Sequence, residues 1–170
     1  MSASFRAGKR WPIDRAGARR SGLRRAAVLI AGLGLGGCAT VPDGTPPISR
    51  DPVTAAAQHQ VGRPYRYGGE DPEGFDCSGL VYYAHRTGGG VEVPRTAREQ
   101  YQRSRPVPRA SLEAGDLLFF TPGADKALHV GIYVQNDYFV HAPSPGKRVS
   151  YAQLTTPFWR QSLVGAGRIR

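Results

Sequence analysis

The chain reads as an α+β domain, with N-terminal helices packed on a mainly antiparallel sheet, standing behind a separate leader. Three observations predict this. Helix signals are confined to residues 51–103, whereas after Pro108 the pattern changes to short runs rich in Val, Ile, Phe and Tyr between turn residues. Basic charge and one short apolar run are concentrated before residue 38, outside any candidate core. Gly and Pro make up 36 of 170 residues, fewer than a disordered chain carries, and the length excludes more than two small domains.

Residues 1–25 carry eight basic side chains against Asp14, a charge of +7. The uncharged run 26–37 follows, twelve residues where a membrane-spanning helix needs roughly 20. Its glycines also disfavour a buried core helix. A basic region, a short apolar region and small residues in that order have the layout of a secretory signal. From Cys38 onward 15 basic residues face 12 acidic ones, so the chain's +10 falls to +3 and no nucleic-acid partner is implied. Leu35-Gly36-Gly37-Cys38 resembles the lipobox of bacterial lipoproteins, which implies acylation of Cys38. Ala39, in place of Asp, then implies passage to the outer membrane, the domain facing the periplasm. Pro42, Pro46, Pro47 and Pro52 make residues 38–53 an extended tether, which leaves 54–170 as one domain after a 1–37 signal peptide.

Along that domain each element has a local cause. Asp51-Pro52 supply a cap and a first-turn proline for a helix ending near Gly62. Residues 63–76, rich in Gly, Pro and Tyr, read as loop. Ser78 to about Arg86 is apolar enough for a buried helix, stopped by Gly88-Gly89-Gly90. Thr96 and Glu99 form a capping box for a helix to about Arg103. Strands are expected at 117–121, 129–134, 137–142, 148–152 and 162–169.

The chemistry gathers around Cys77. A cysteine opening a helix meets unsatisfied amides and the positive end of the dipole, which favours the nucleophilic thiolate. Alone, a cysteine is more often an inert core residue. His129 opens one predicted strand and His141 closes the next, with Gln135-Asn136-Asp137 as the turn. A three-residue loop sets Val134 against Tyr138 and His141 opposite Gly131, so the two imidazoles share a face, roughly 7–8 Å apart at the backbone. A two-residue turn would put them on opposite faces. Gly131 leaves space beside them, while Val130, Ile132, Val134, Val140 and Ala142 form core on the other side. One histidine could then act as general base and the other orient it.

Pro64-Tyr65-Arg66-Tyr67-Gly68-Gly69, Phe75-Asp76-Cys77-Ser78-Gly79-Leu80, Pro94-Arg95-Thr96, Gly115-Asp116-Leu117-Leu118-Phe119-Phe120, His129-Val130-Gly131-Ile132-Tyr133 and the second histidine, in this order, resemble the NlpC family of papain-like cell-wall cysteine peptidases. The resemblance covers residues 54–170 and implies the papain-like NlpC fold. It further implies Cys77 as nucleophile, His129 as general base and His141 as its orienting partner. Tyr65 would contact substrate and help stabilise the oxyanion, and Asp76 and Ser78 would line the specificity pocket. The implied activity is a peptidoglycan endopeptidase cutting γ-D-glutamyl-diaminopimelate or D-alanyl-diaminopimelate bonds through a thioester, without cofactor. Partners are then the stem peptides and, through the lipid anchor, a membrane, with the protein a monomer. Arg66 and Arg95 are candidates to meet stem carboxylates.

Rival readings are weaker. No CxxC pair or HExxH helix accompanies the histidines, so no metal site is expected. A Cys38–Cys77 disulfide would be removed by lipidation of Cys38. A lipid acyltransferase relative would carry its histidine before its cysteine. A non-catalytic peptidoglycan-binding lipoprotein with a degenerate fold is the alternative function, which the presence of all three triad-like residues disfavours.

Overall fold

Pro52–Gln58 forms the first helix, α1, because Asp51 caps it by accepting from the Thr54 N–H at 2.7 Å and Pro52 stands where no donor is needed. The structure, a computed structural model, describes residues 45–124 and 127–170. The leader, Cys38 and the first part of the predicted tether lie outside the described residues. Turns carry the chain from α1 to Gly62, at φ +91°, so the regular helix is shorter than expected.

The end of the predicted tether is docked on the domain. Gln58 donates to the Pro47 carbonyl at 3.1 Å and accepts from the Ser49 N–H at 2.7 Å, and Pro46 is buried. The compact unit runs over Thr45–Arg170, so the folded part reaches upstream of residue 54.

The expected loop at 63–76 holds a small hairpin, β1 (Glu70–Asp71) with β2 (Gly74–Phe75). Helix α2 (Cys77–Ala84) follows at once, one residue earlier than expected, because Asp76 takes the Gly79 N–H at 2.6 Å and fixes the first turn. It relaxes into a π-helical turn, His85–Gly89, which ends at Gly90 in the left-handed region. Helix α3 (Ala97–Arg103) starts at Thr96 as predicted, with the Glu99 N–H on the Thr96 hydroxyl at 3.3 Å.

Six strands form the sheet: β3 (Arg105–Pro106), β4 (Leu117–Phe120), β5 (His129–Gln135), β6 (Tyr138–His141), β7 (Ser150–Gln153) and β8 (Leu163–Arg168). Their order is β3-β8-β4-β5-β6-β7, antiparallel throughout. The short β3 and a helix α4 (Pro157–Ser162) ahead of β8 have no counterpart in the predicted elements.

Alternation along the strands makes two cores. Leu117, Phe119, Val130, Ile132 and Val140 face α1 and α2, joining Ala57, Leu80, Val81 and Ala84. Leu118, Phe120 and Phe139 face the other way, with Leu154 and the Trp159 ring of α4.

The β5–β6 hairpin decides where the histidines point. Asn136 (φ 50°) and Asp137 (φ 62°) make a two-residue turn, with Gln135 opposite Tyr138, instead of the three-residue loop expected. A register shift between Tyr133 and Gln135 then sets Tyr133 against Phe139 and Ile132 against Val140. The bulge supplies the residue that the shorter turn lacks, so both imidazoles still lie on one face.

Candidate active site

Cys77 sits at the first position of α2, half-buried, where the backbone amides of Val130, Ser78 and Cys77 itself act to lower its thiol pKa. The Val130 contact brings the helix start to the first residues of β5, next to His129. The helix-start amides lower the thiol pKa, as the sequence argument expected. Burial nevertheless outweighs them and, with the Asp76 carboxylate adding in the same direction, pushes the thiol up. The resting group is therefore a protonated thiol.

His129 and His141 touch: His129 Nε2 lies 2.9 Å from His141 Nδ1, with the rings nearly perpendicular at 87°. Both are buried. Burial pushes His129 down to about 4, and burial with the neighbouring imidazole pushes His141 down to about 3. Two neutral rings joined by one hydrogen bond leave a defined arrangement. If His129 Nε2–H donates to His141 Nδ1, the lone pair of His129 sits on Nδ1, the nitrogen left to accept a proton.

Trp159 completes this corner and went unassigned in the sequence. Its ring stacks on His129 at 5.8 Å and meets His141 edge-on at 4.9 Å, while Phe120 and Phe139 pack against the same indole. The space expected beside Gly131 is not open. A Cβ there would lie 2.6 Å from the Phe139 ring and 3.1 Å from the Val140 carbonyl oxygen. The glycine lets that ring approach the backbone.

Tyr65 is brought to the cysteine by pairing. It forms a parallel bridge with Phe75, two residues before Cys77, and its N–H donates to the Lys147 carbonyl at 2.9 Å. Burial first, then the nearby Cys77 and Asp76, raise its phenol pKa, so the hydroxyl stays a donor.

Asp76 and Ser78 are tied to Arg95. Arg95 Nη1 and Nη2 each lie 2.9 Å from an Asp76 carboxylate oxygen, and Nη1 reaches the Ser78 hydroxyl at 3.1 Å. Nε donates to Glu70 at 2.8 Å and Nη2 to the Gly69 carbonyl at 3.2 Å. All five guanidinium N–H groups are occupied, so Arg95 has none left for a substrate carboxylate. Arg66, half-exposed, spends Nη2 on Asp71 at 2.9 Å and keeps its other donors. Gln100 was also missed. It is fully buried and links α3 to α2 by donating to the carbonyls of Ser78 and Pro94 at 3.0 and 2.8 Å.

A cysteine at a helix start beside an antiparallel sheet, with a histidine pair on adjacent strands, defines the papain-like α+β class. Residues 62–168 match the NlpC/P60 family, and the chain belongs to it. It is 45% identical over 114 residues to the murein DD-endopeptidase MepH of Escherichia coli K12, covering 65% of this chain and 42% of that protein. Against the probable endopeptidase NlpC of the same strain it is 36% identical over 156 residues, 86% of this chain and 100% of the relative. A crystal structure of a Staphylococcus aureus Mu50 protein, termed similar to lipoprotein, NLP/P60 family, superposes with a TM-score of 0.61 at 33% identity. That match covers 75% of this chain and 44% of the other. The chain thus spans half or less of the length of several relatives it matches.

Proposed function

We propose that the protein is a peptidoglycan endopeptidase that hydrolyses stem-peptide bonds by a cysteine nucleophile. The observation that carries this reading is the 2.9 Å pair of imidazoles, one of them adjacent to Val130, whose backbone amide acts on the Cys77 thiol. In the proposed reaction His129 Nδ1 takes the thiol proton as Cys77 attacks the scissile carbonyl, giving a tetrahedral oxyanion. Its charge is met by the Tyr65 hydroxyl and the amide at the start of α2. Collapse forms the thioester, and the imidazolium returns its proton to the departing amine. Water, deprotonated by His129, then attacks the thioester, releasing the carboxylic acid and the thiol. His141 holds the His129 ring and spreads the transient charge.

The name of MepH, a murein DD-endopeptidase, supports the substrate class, and that of NlpC, a probable endopeptidase, the type of reaction. The bond cut is proposed to be γ-D-glutamyl-diaminopimelate or D-alanyl-diaminopimelate. Asp76 and Ser78 are proposed to shape the pocket by holding the start of α2 in place, Arg66 to meet a stem carboxylate. Export, acylation at Cys38 and an outer-membrane position facing the periplasm complete the proposal, supported by the leader and by the description of the Staphylococcus aureus neighbour as similar to lipoprotein. The test is incubation of the purified protein with defined muropeptides and identification of fragments by mass. The expected result is one bond cut by the wild type and none by Cys77→Ala. Equal cleavage by both proteins, or none by the wild type, refutes it.

A further inference from the structure

A cleft of about 510 Å³ opens at the β3–β8 edge of the sheet, where Arg103, Arg105, Arg168 and Arg170 surround Val107 and Ile169. Arg105 in β3 lies directly opposite Arg168 in β8, an unfavourable juxtaposition of like charges unless carboxylates intervene. Two do so partly. Asp116 holds Arg168 at 2.6 Å, and Glu113 bridges Arg168 and Arg170 at 2.9 and 3.0 Å. Arg103 and Arg105 are exposed and make no ion pair among the described residues. Four guanidinium groups against two carboxylates put +2 into this one cleft, most of the +3 carried by residues 38–170.

The cleft is remote from the chemistry. Leu163 at the start of β8 pairs with Phe120, which pairs with His129, whereas Arg168 is five residues further along β8. Five residues of strand are about 17 Å. A four-residue stem peptide, fully extended, spans at most about 14 Å, so one stem cannot fill both places. The Glu113 carboxylate seated between Arg168 and Arg170 shows the chemistry these walls accept, and two further planar forks stand unused beside it.

We propose that this cleft is an accessory site for carboxylates of neighbouring stem peptides, which holds the domain on the peptidoglycan polymer while Cys77 acts on another stem. The inference rests on the peptidoglycan reading above. Arg103→Ala/Arg105→Ala tests it, since neither side chain has an ionic partner to lose. In a Cys77→Ala background, which leaves the polymer intact, binding to purified sacculi is measured by sedimentation at about 50 and 500 mM salt. The expected result is affinity for sacculi about tenfold weaker at low salt, with most of the salt dependence gone. With Cys77 present, the same pair of substitutions slows digestion of sacculi but leaves cleavage of a soluble muropeptide unchanged. Unchanged sacculus binding overturns the proposal, as does an equal loss on the soluble fragment. Arginine-dependent binding to phosphatidylglycerol vesicles, with none to sacculi, overturns it in favour of a membrane surface. If Arg103 and Arg105 govern sacculus binding while the wild type cuts nothing, the accessory site stands and the catalytic reading alone fails.

Discussion

Arg95→Ala should weaken the fold and the reactivity of the Cys77 thiol together. The substitution removes the bidentate pair with Asp76, the 2.8 Å contact with Glu70 and the bonds to Gly69 and Ser78. Asp76 is only 13% exposed and Arg95 31%, so the loss approaches that of a buried pair. Stranding one partner of such a pair costs about 3–5 kcal/mol when water is excluded, and partial exposure brings this to about 2–3 kcal/mol. For a unit of this size that corresponds to a fall in Tm of about 8–12 °C. The freed Asp76 carboxylate also acts more strongly on the adjacent thiol, whose pKa it already raises. Thermal melts and the pH dependence of iodoacetamide alkylation measure the two effects. Asp76→Ala loses the helix cap as well, about 1 kcal/mol by itself. The combined variant should be less destabilised than the sum of the two single ones by about 1.5–3 kcal/mol. Additivity within about 0.5 kcal/mol, with an unchanged alkylation profile, would refute the account of Arg95 as the group that neutralises Asp76 at the start of α2.

The histidine pair makes stability acid-sensitive. Both native pKa values are depressed, to about 4 and about 3, so the unfolded chain protonates first as pH falls below its ordinary value of about 6.5. Stability is fully present above that value and declines towards the native pKa values, by about 1.6 kcal/mol per imidazole between pH 6.5 and 5. Urea midpoints across that range, with a His129→Asn/His141→Asn variant showing a flatter curve, check the sign. Trp159→Ala uncovers both rings and leaves a void against Phe120 and Phe139, for a loss of about 2–3 kcal/mol. Water reaching the pair should also raise the His129 pKa, moving the acid limb of kcat/KM upward. A stability loss with an unmoved limb would limit the indole to packing. Gly131→Ala sets a methyl against the Phe139 ring and the Val140 carbonyl, and should cost about 1–3 kcal/mol in chemical denaturation.

Caps and runs were readable because they are local. Asp51 before Pro52, and Thr96 three residues before Glu99, predicted the starts of α1 and α3. The strands of the main sheet were readable from their apolar patterning, except β3, whose two residues Arg105 and Pro106 carry none. Helix α4 escaped notice because Pro157-Phe158-Trp159 gives too few residues for a helical period. The end of α1 was misplaced because the turns that follow it are set by contacts such as the Gly62 N–H on the Val149 carbonyl, far away in sequence.

The amino-acid order by itself determined the inventory: a cysteine at a helix start, two strand histidines twelve residues apart, and a tyrosine twelve residues before the cysteine. Local propensity and residue chemistry suffice for that. Tertiary structure decided what state these groups are in and how they meet. A bulge between Tyr133 and Gln135, not the turn length, puts both imidazoles on one face. Burial under Trp159 keeps them neutral, and burial of Cys77 keeps its proton in place against the pull of the helix amides. Five bonds made across the fold turn Arg95 from a free cation into a brace for Asp76. Desolvation and pairing depend on which distant segments come together, and that is the information a linear pattern does not carry.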